Sequence, residues 1–280
     1  MVEAGLIATA AATGLVLGSF LNVVIYRTPR GLSVVSPGSA CPDCSTPIRP
    51  LDNVPLVSWL LLGGRCRSCR RPISARYPLV ETGTAGLFSL LAWVTGPTWA
   101  LPGLWILAAT LLAAGMIDID HLEIPPSVSA IGTAIGGSAL GAYAVLSHHW
   151  VHLAGMGAGL ALALLVVAVA LVNPPPRMRA PRVRGRVRAH ELRALAVSFV
   201  PGATLLGWSG PLGAAAGLAL GISGYAASAA GMALLARRRS QPDPAELLGE
   251  PPGPARVPIG ALVATASMAG VLIGASLHGR

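Results

Sequence analysis

Apolar runs long enough to cross a bilayer recur along the whole chain, broken by short polar or arginine-rich stretches. A helix needs about 20 such residues to span the hydrocarbon core. Read this way, the pattern predicts eight spans, near 4–25, 79–95, 98–117, 127–146, 153–172, 194–209, 212–236 and 259–277. Period-2 alternation, which would mark a transmembrane barrel, is absent. The predicted class is an all-α polytopic membrane protein of about eight transmembrane helices. The start, Met-Val-Glu, has no basic n-region, so the first run is expected to be a retained span and not a cleaved signal. Span two is short, and Pro201-Gly202 interrupts span six.

Composition sharpens this. Of the 280 residues, 53% are hydrophobic and only 11% charged, a balance that no ordinary soluble domain carries. The net charge of +9 rests on arginine alone, and its placement argues for topology and against nucleic-acid binding. Arginines gather in cytoplasmic loops of membrane proteins. Here they follow spans one, five and seven, and an even number of crossings with both termini outside puts 19 of the 20 on the cytoplasmic side. Trp93, Trp99, Trp150 and Trp208 then fall at outer helix ends, and Tyr26 and Tyr77 at inner ones, as an aromatic belt. The bilayer is thus a partner and nucleic acid is not.

Small residues in GAAAGLALGISGYAASAAG (213–231) predict close helix packing. Segments 174–190 and 240–258 are rich in proline with arginine or glutamate and read as irregular loops. No convincing internal repeat is evident.

All four cysteines lie in the first arginine-rich loop, as Cys41-Pro-Asp-Cys44 and Cys66-Arg-Ser-Cys69. Two C-x-x-C pairs at this separation have the spacing of a tetrathiolate zinc site, each knuckle giving two sulfurs to one tetrahedron. A cytoplasmic loop disfavours two stable disulfides, and a dithiol redox centre needs one such pair, not two. With four protein ligands no position stays open for water, so the expected role is structural.

Of eleven acidic residues, Asp118, Asp120 and Glu123 crowd the end of the third apolar run. An ionisable side chain near a span is expensive to keep there and is usually functional. Two residues apart on a helix is roughly 200° of rotation, so Asp118 and Asp120 cannot face one site together. A carboxylate pair therefore needs a partner from another helix. The acids at the same membrane edge are Glu81 and Glu191, and Glu191 opens span six just past an arginine-rich loop. Two opposed carboxyls share a proton, one acting as base toward water and the other protonating the leaving group. Glu81 is read as sitting in the favourable first turn of span two. His121 and His190 are neighbours that could tune these acids, and SHHWVH (147–152) reads as a polar outer turn.

These motifs together resemble the type IV prepilin peptidases, bifunctional leader peptidase/N-methyltransferases of the membrane aspartic protease class. GSFLNVVIYRTPR (18–30), CPDC and CRSC, IRPLDNVPLVSWLLLGGRC (48–66), ARYPLVE (75–81) and MIDIDHLEIP (116–125) carry the likeness, with VPIGALVATA (257–266) a weaker match. The resemblance implies a first span at 1–25, a cytoplasmic zinc-binding loop at 26–78 and a protease helical bundle at 79–280. It implies Asp118 as the first catalytic acid, a type IV prepilin or pseudopilin precursor as substrate, and a bacterial cytoplasmic (inner) membrane location with the site on the cytoplasmic side. It also implies methylation of the new N-terminus from S-adenosylmethionine, although no Gly-rich Rossmann-type loop is present to hold that cofactor.

The chain departs from the family at the second catalytic motif, G-x-G-D-x-K. The nearest positional match is Arg188-Ala-His-Glu191-Leu-Arg193, with Glu191 in place of Asp and both glycines gone. Pro126 stands where the family usually has Asp or Asn. The alternative reading is therefore a catalytically degenerate homologue, a membrane assembly or scaffold protein that keeps the zinc loop.

Overall fold

The computed structural model describes residues 2–121 and 125–159, with the isolated positions 161, 204, 205, 208, 267 and 269. Five α-helices are defined among them: α1 (Val2–Arg27), α2 (Val57–Leu61), α3 (Arg76–Thr95), α4 (Leu101–His121) and α5 (Pro126–Leu146). Residues 150–159 are also helical, and no strand occurs among the described residues, only two isolated β-bridges. Three helical segments are long and apolar enough to cross a membrane: Glu3–Arg30, Leu101–His121 and Pro126–Leu146. Apart from the isolated positions just named, predicted spans six to eight, near 194–209, 212–236 and 259–277, and most of span five lie outside the described residues.

Span two appears as α3, starting three residues earlier than its apolar run predicts. Its first turns carry Arg76, Glu81 and Thr84, and it is not among the three helices apolar enough to cross. It is the main partner of α1. The two backbones come close because Gly14 and Gly18 face α3: a Cβ on Gly14 would lie 2.5 Å from Ala85 Cα, and one on Gly18 would lie 2.7 Å from Glu81 Cα. The α4–α5 crossing uses the same device, Gly136 against Leu107 and Gly103 against Leu140. Small-xxx-small spacing, GLVLG (14–18) and GTAIG (132–136), lets helices approach to backbone contact in lipid. The core runs through these crossings, with Phe88, Leu91, Leu104, Leu107, Leu111 and Ile117 fully buried. Phe88 stacks on Trp105 with ring centroids 5.1 Å apart, and the indole N–H donates to Phe88 O at 3.2 Å.

Candidate functional site

The segment between α1 and α3 holds a four-cysteine cluster built from two copies of one knuckle. Ala40 and Pro47 form one antiparallel bridge, and Arg65 and Pro72, each 25 positions on, form the other. In both copies the backbone N–H of the residue four past the first cysteine donates back to it: Ser45 N to Cys41 O at 2.9 Å and Arg70 N to Cys66 O at 3.0 Å. Both residues have positive φ, 56° and 58°. The underlying repeat, C-x-x-C-x-x-P-I at 41–48 and 66–73, was legible in the sequence, so the expectation of no internal repeat is corrected.

The four sulfurs lie within 4.8 Å of one another, with Cys41 and Cys69 Sγ 3.8 Å apart. An ideal zinc tetrahedron with bonds of about 2.3 Å has edges of about 3.8 Å. All four cysteines are free of disulfides, so the donor set fits one metal ion. Hydrogen bonds from the Thr46 side chain and backbone lower the Cys44 thiol to about 6, and the backbone N–H groups of Cys69 and Ser68 lower that of Cys66. Against a backbone hydrogen bond from Arg71, which lowers it, burial and the neighbouring sulfurs push Cys69 up to about 12, so Cys44 and Cys66 are the two thiols favoured in the thiolate form a metal requires.

This unit is fastened to the helices by polar contacts that side-chain spacing does not announce. Glu81 is buried on α3, and its Oε2 accepts the Leu56 backbone N–H at 2.7 Å. Leu56 has φ 61° and ψ −50°, and Val57 N donates to Pro55 O across it at 2.6 Å. That is a γ-turn of the strained, positive-φ kind. Glu81 thus does more than occupy a first helical turn: it holds a strained corner of the loop against α3. Asn22 on α1 donates to Tyr77 O at 3.1 Å, and the Arg27 guanidinium donates to the carbonyls of Ser33, Pro37 and Gly38. A cleft of about 1130 Å³ opens between the loop, the end of α1 and the start of α3, bordered by Phe20, Tyr26, Trp59 and Glu81.

Asp118 and Asp120 separate as helical geometry requires. Asp118 is 3% exposed in the last turn of α4, whereas Asp120 reaches outward to Arg76, Nη1 to Oδ2 at 2.5 Å. Arg76 is the first residue of α3, where the cysteine loop re-enters the bundle. The loop and the acidic turn are therefore joined by an ion pair. His121 is exposed. Glu191 and His190, like Glu123, lie outside the described residues.

At the opposite end of α4 and α5, Trp208 is buried and does not belong to an exposed belt as expected. It stacks on His152 at 4.6 Å, with His152 Nδ1 2.8 Å from Trp208 O, and Tyr143 and His149 complete the cluster. Burial of an indole against aromatic neighbours outweighs its taste for the interface there. Trp93, Trp99 and Trp150 are exposed, as a belt requires.

Residues 12–95 match the family described as the bacterial peptidase A24 N-terminal domain. The prepilin leader peptidase/N-methyltransferase of Neisseria gonorrhoeae is 42% identical over 144 residues, covering 43% of this chain and 50% of that one. The protein of the same name from Pseudomonas aeruginosa is 44% identical over 135 residues, 40% of this chain and 47% of that one. A type 4 prepilin-like proteins leader peptide-processing enzyme of Escherichia coli O78:H11 is 47% identical over 132 residues, 40% of this chain and 48% of that one. The chain spans about half the length of these curated relatives. No solved structure matches. Residues 12–95 are thus similar to that amino-terminal domain. The resemblance to the type IV prepilin peptidase family, first read from the motifs, is borne out.

Proposed function

We propose that this chain is a prepilin leader peptidase that cuts pilin-like precursors at the cytoplasmic face of the bacterial inner membrane. The single observation that carries the reading is the buried Asp118 ending α4 inside the family's first catalytic motif, with Asp120 held away by Arg76. Asp118 and Glu191 form the carboxylate pair. One takes a proton from water, the resulting hydroxide adds to the scissile carbonyl, and the other protonates the departing amide nitrogen. The chain crosses the bilayer eight times with both termini outside, which sets both acids at the inner edge.

The cysteine cluster binds zinc, and its role is structural. The relatives' names include N-methyltransferase, and we extend that activity to this chain: the new amino group takes a methyl from S-adenosylmethionine. A second reading, a scaffold homologue without activity, is favoured by one observation, the Glu191 that replaces Asp and its lost glycines. An added methylene moves a carboxyl by about 1.5 Å, and active sites tolerate only about 0.5–1 Å.

Cleavage of a prepilin from the same cell by wild type, Glu191→Asp and Glu191→Gln tests the proposal. The peptidase reading expects cleavage by wild type and Glu191→Asp and none by Glu191→Gln. If wild type and both variants leave the precursor intact, the scaffold reading stands.

A further inference from the structure

The stretch Pro50–Leu62 shows an apolar residue at nearly every third position: Leu51, Val54, Val57, then Leu60 and Leu61. Its inner side is firmly held. Ser58 is buried, its hydroxyl accepting Val54 N–H at 3.0 Å and donating to Leu51 O at 2.9 Å. Trp59 donates its indole N–H to Ile73 O at 3.2 Å, and Glu81 holds Leu56. With the inner side committed, the outer side is left bare. Leu51 is 84% exposed, Leu61 82%, Leu60 60% and Val57 48%. These four are absent from the walls of the cleft beneath the loop, whereas Val54, Leu56, Trp59 and Leu62 border it. The bare face is thus a separate surface, unconnected with whatever enters the cleft.

Charge says what covers it. Residues 28–75 hold six arginines against two aspartates, and Asp52 is already taken by Arg67 in a two-pronged pair at 2.8 and 2.6 Å. Arg49, Arg65, Arg67, Arg70 and Arg71 are all exposed. Apolar side chains fringed by arginine form the pattern of a segment lying in the interface of an anionic bilayer, the leucines among acyl chains and the guanidinium groups among phosphates. The tether is right as well. The loop leaves from the end of α1, a candidate span, and returns at the start of α3, which packs along α1, so it cannot stray far from the membrane face.

We propose that the face bearing Leu51, Val57, Leu60 and Leu61 seats on the anionic lipid leaflet and fixes the cysteine unit flat against the membrane. This surface is independent of the peptidase reading.

The test uses the full chain in nanodiscs of phosphatidylcholine alone or with added phosphatidylglycerol, followed by limited trypsin digestion at Arg65–Arg71 mapped by mass spectrometry. Wild type is expected to be cut about tenfold more slowly in the anionic discs than a Leu60→Glu/Leu61→Glu variant, and more slowly there than in neutral discs. The variant should keep its bound metal, measured by zinc content. Equal cleavage of wild type and variant in both discs overturns the proposal. So does protection that arises only when a prepilin peptide is added, which would assign the face to protein. Should the variant lose its metal, the wild-type comparison decides alone, equal rates in neutral and anionic discs overturning it.

Discussion

Arg76 Nη1 meets Asp120 Oδ2 at 2.5 Å, tying the point where the cysteine loop returns to the bundle to the residue two positions after Asp118. Because those two acids lie on different sides of α4, the pair ties down the turn that carries Asp118 from the side of Asp120. The Arg76 Nη2 is buried and has no hydrogen-bond partner among the described residues.

Arg76→Gln is expected to lower the rate of prepilin cleavage by roughly 10- to 100-fold, the usual penalty for about an ångström of misplacement at a reacting group. Zinc content should be unchanged, and Arg76→Lys should recover part of the rate. A variant with wild-type kinetics would show that the ion pair is incidental, as many partly exposed pairs are.

Glu81→Ala removes the acceptor for Leu56 N–H at a corner with strained backbone. Leaving a buried backbone donor without its acceptor costs about 1–3 kcal/mol. The expected readout is faster amide hydrogen exchange across residues 54–58, with Glu81→Gln milder because its amide oxygen still accepts.

Gly18→Ala should destabilise the α1–α3 crossing by about 1–3 kcal/mol, since its new methyl must displace backbone. Thermal unfolding in detergent measures this. Gly5→Ala is the control, because a Cβ there meets nothing within 4 Å, and it should not lower the transition, alanine being the better helix former.

Removing the metal, by chelation or by Cys66→Ser, should loosen residues 40–73 as one unit. Each knuckle is held by one β-bridge and a few backbone hydrogen bonds, and the four sulfurs converge where a shared metal ion would join the two. Hydrogen exchange reports the loosening, and cleavage should fall with it if the loop positions Arg76.

Much of this was legible before any coordinates. Helices α1, α4 and α5 follow from long apolar runs, because an uninterrupted stretch in lipid has few alternatives to helix. Cys41, Cys44, Cys66 and Cys69 were legible as one cluster because two C-x-x-C pairs have the spacing of a shared tetrahedral site. The start of α3 was not: Arg76 and Glu81 break the apolar pattern, and their places depend on Asp120 and on the Leu56 backbone, neither near in sequence. The role of Glu81 was hidden for the same reason, its partner being a main-chain N–H that leaves no mark in the side-chain pattern. Trp208 was misjudged because a tryptophan near a helix end suits either an interface or a core, and its partner His152 lies 56 positions earlier. The glycine pairs 14/18 and 132/136 carry a readable G-x-x-x-G signal of their own, shorter than the Gly/Ala stretch at 213–231.

The measurement that bears most directly on the central claim is cleavage of a membrane-anchored prepilin by the purified chain, wild type against Asp118→Asn, with zinc content and helicity checked in both. Wild type should leave a cut precursor and Asp118→Asn an intact one, the two proteins being otherwise alike. Undiminished cleavage by Asp118→Asn would contradict it.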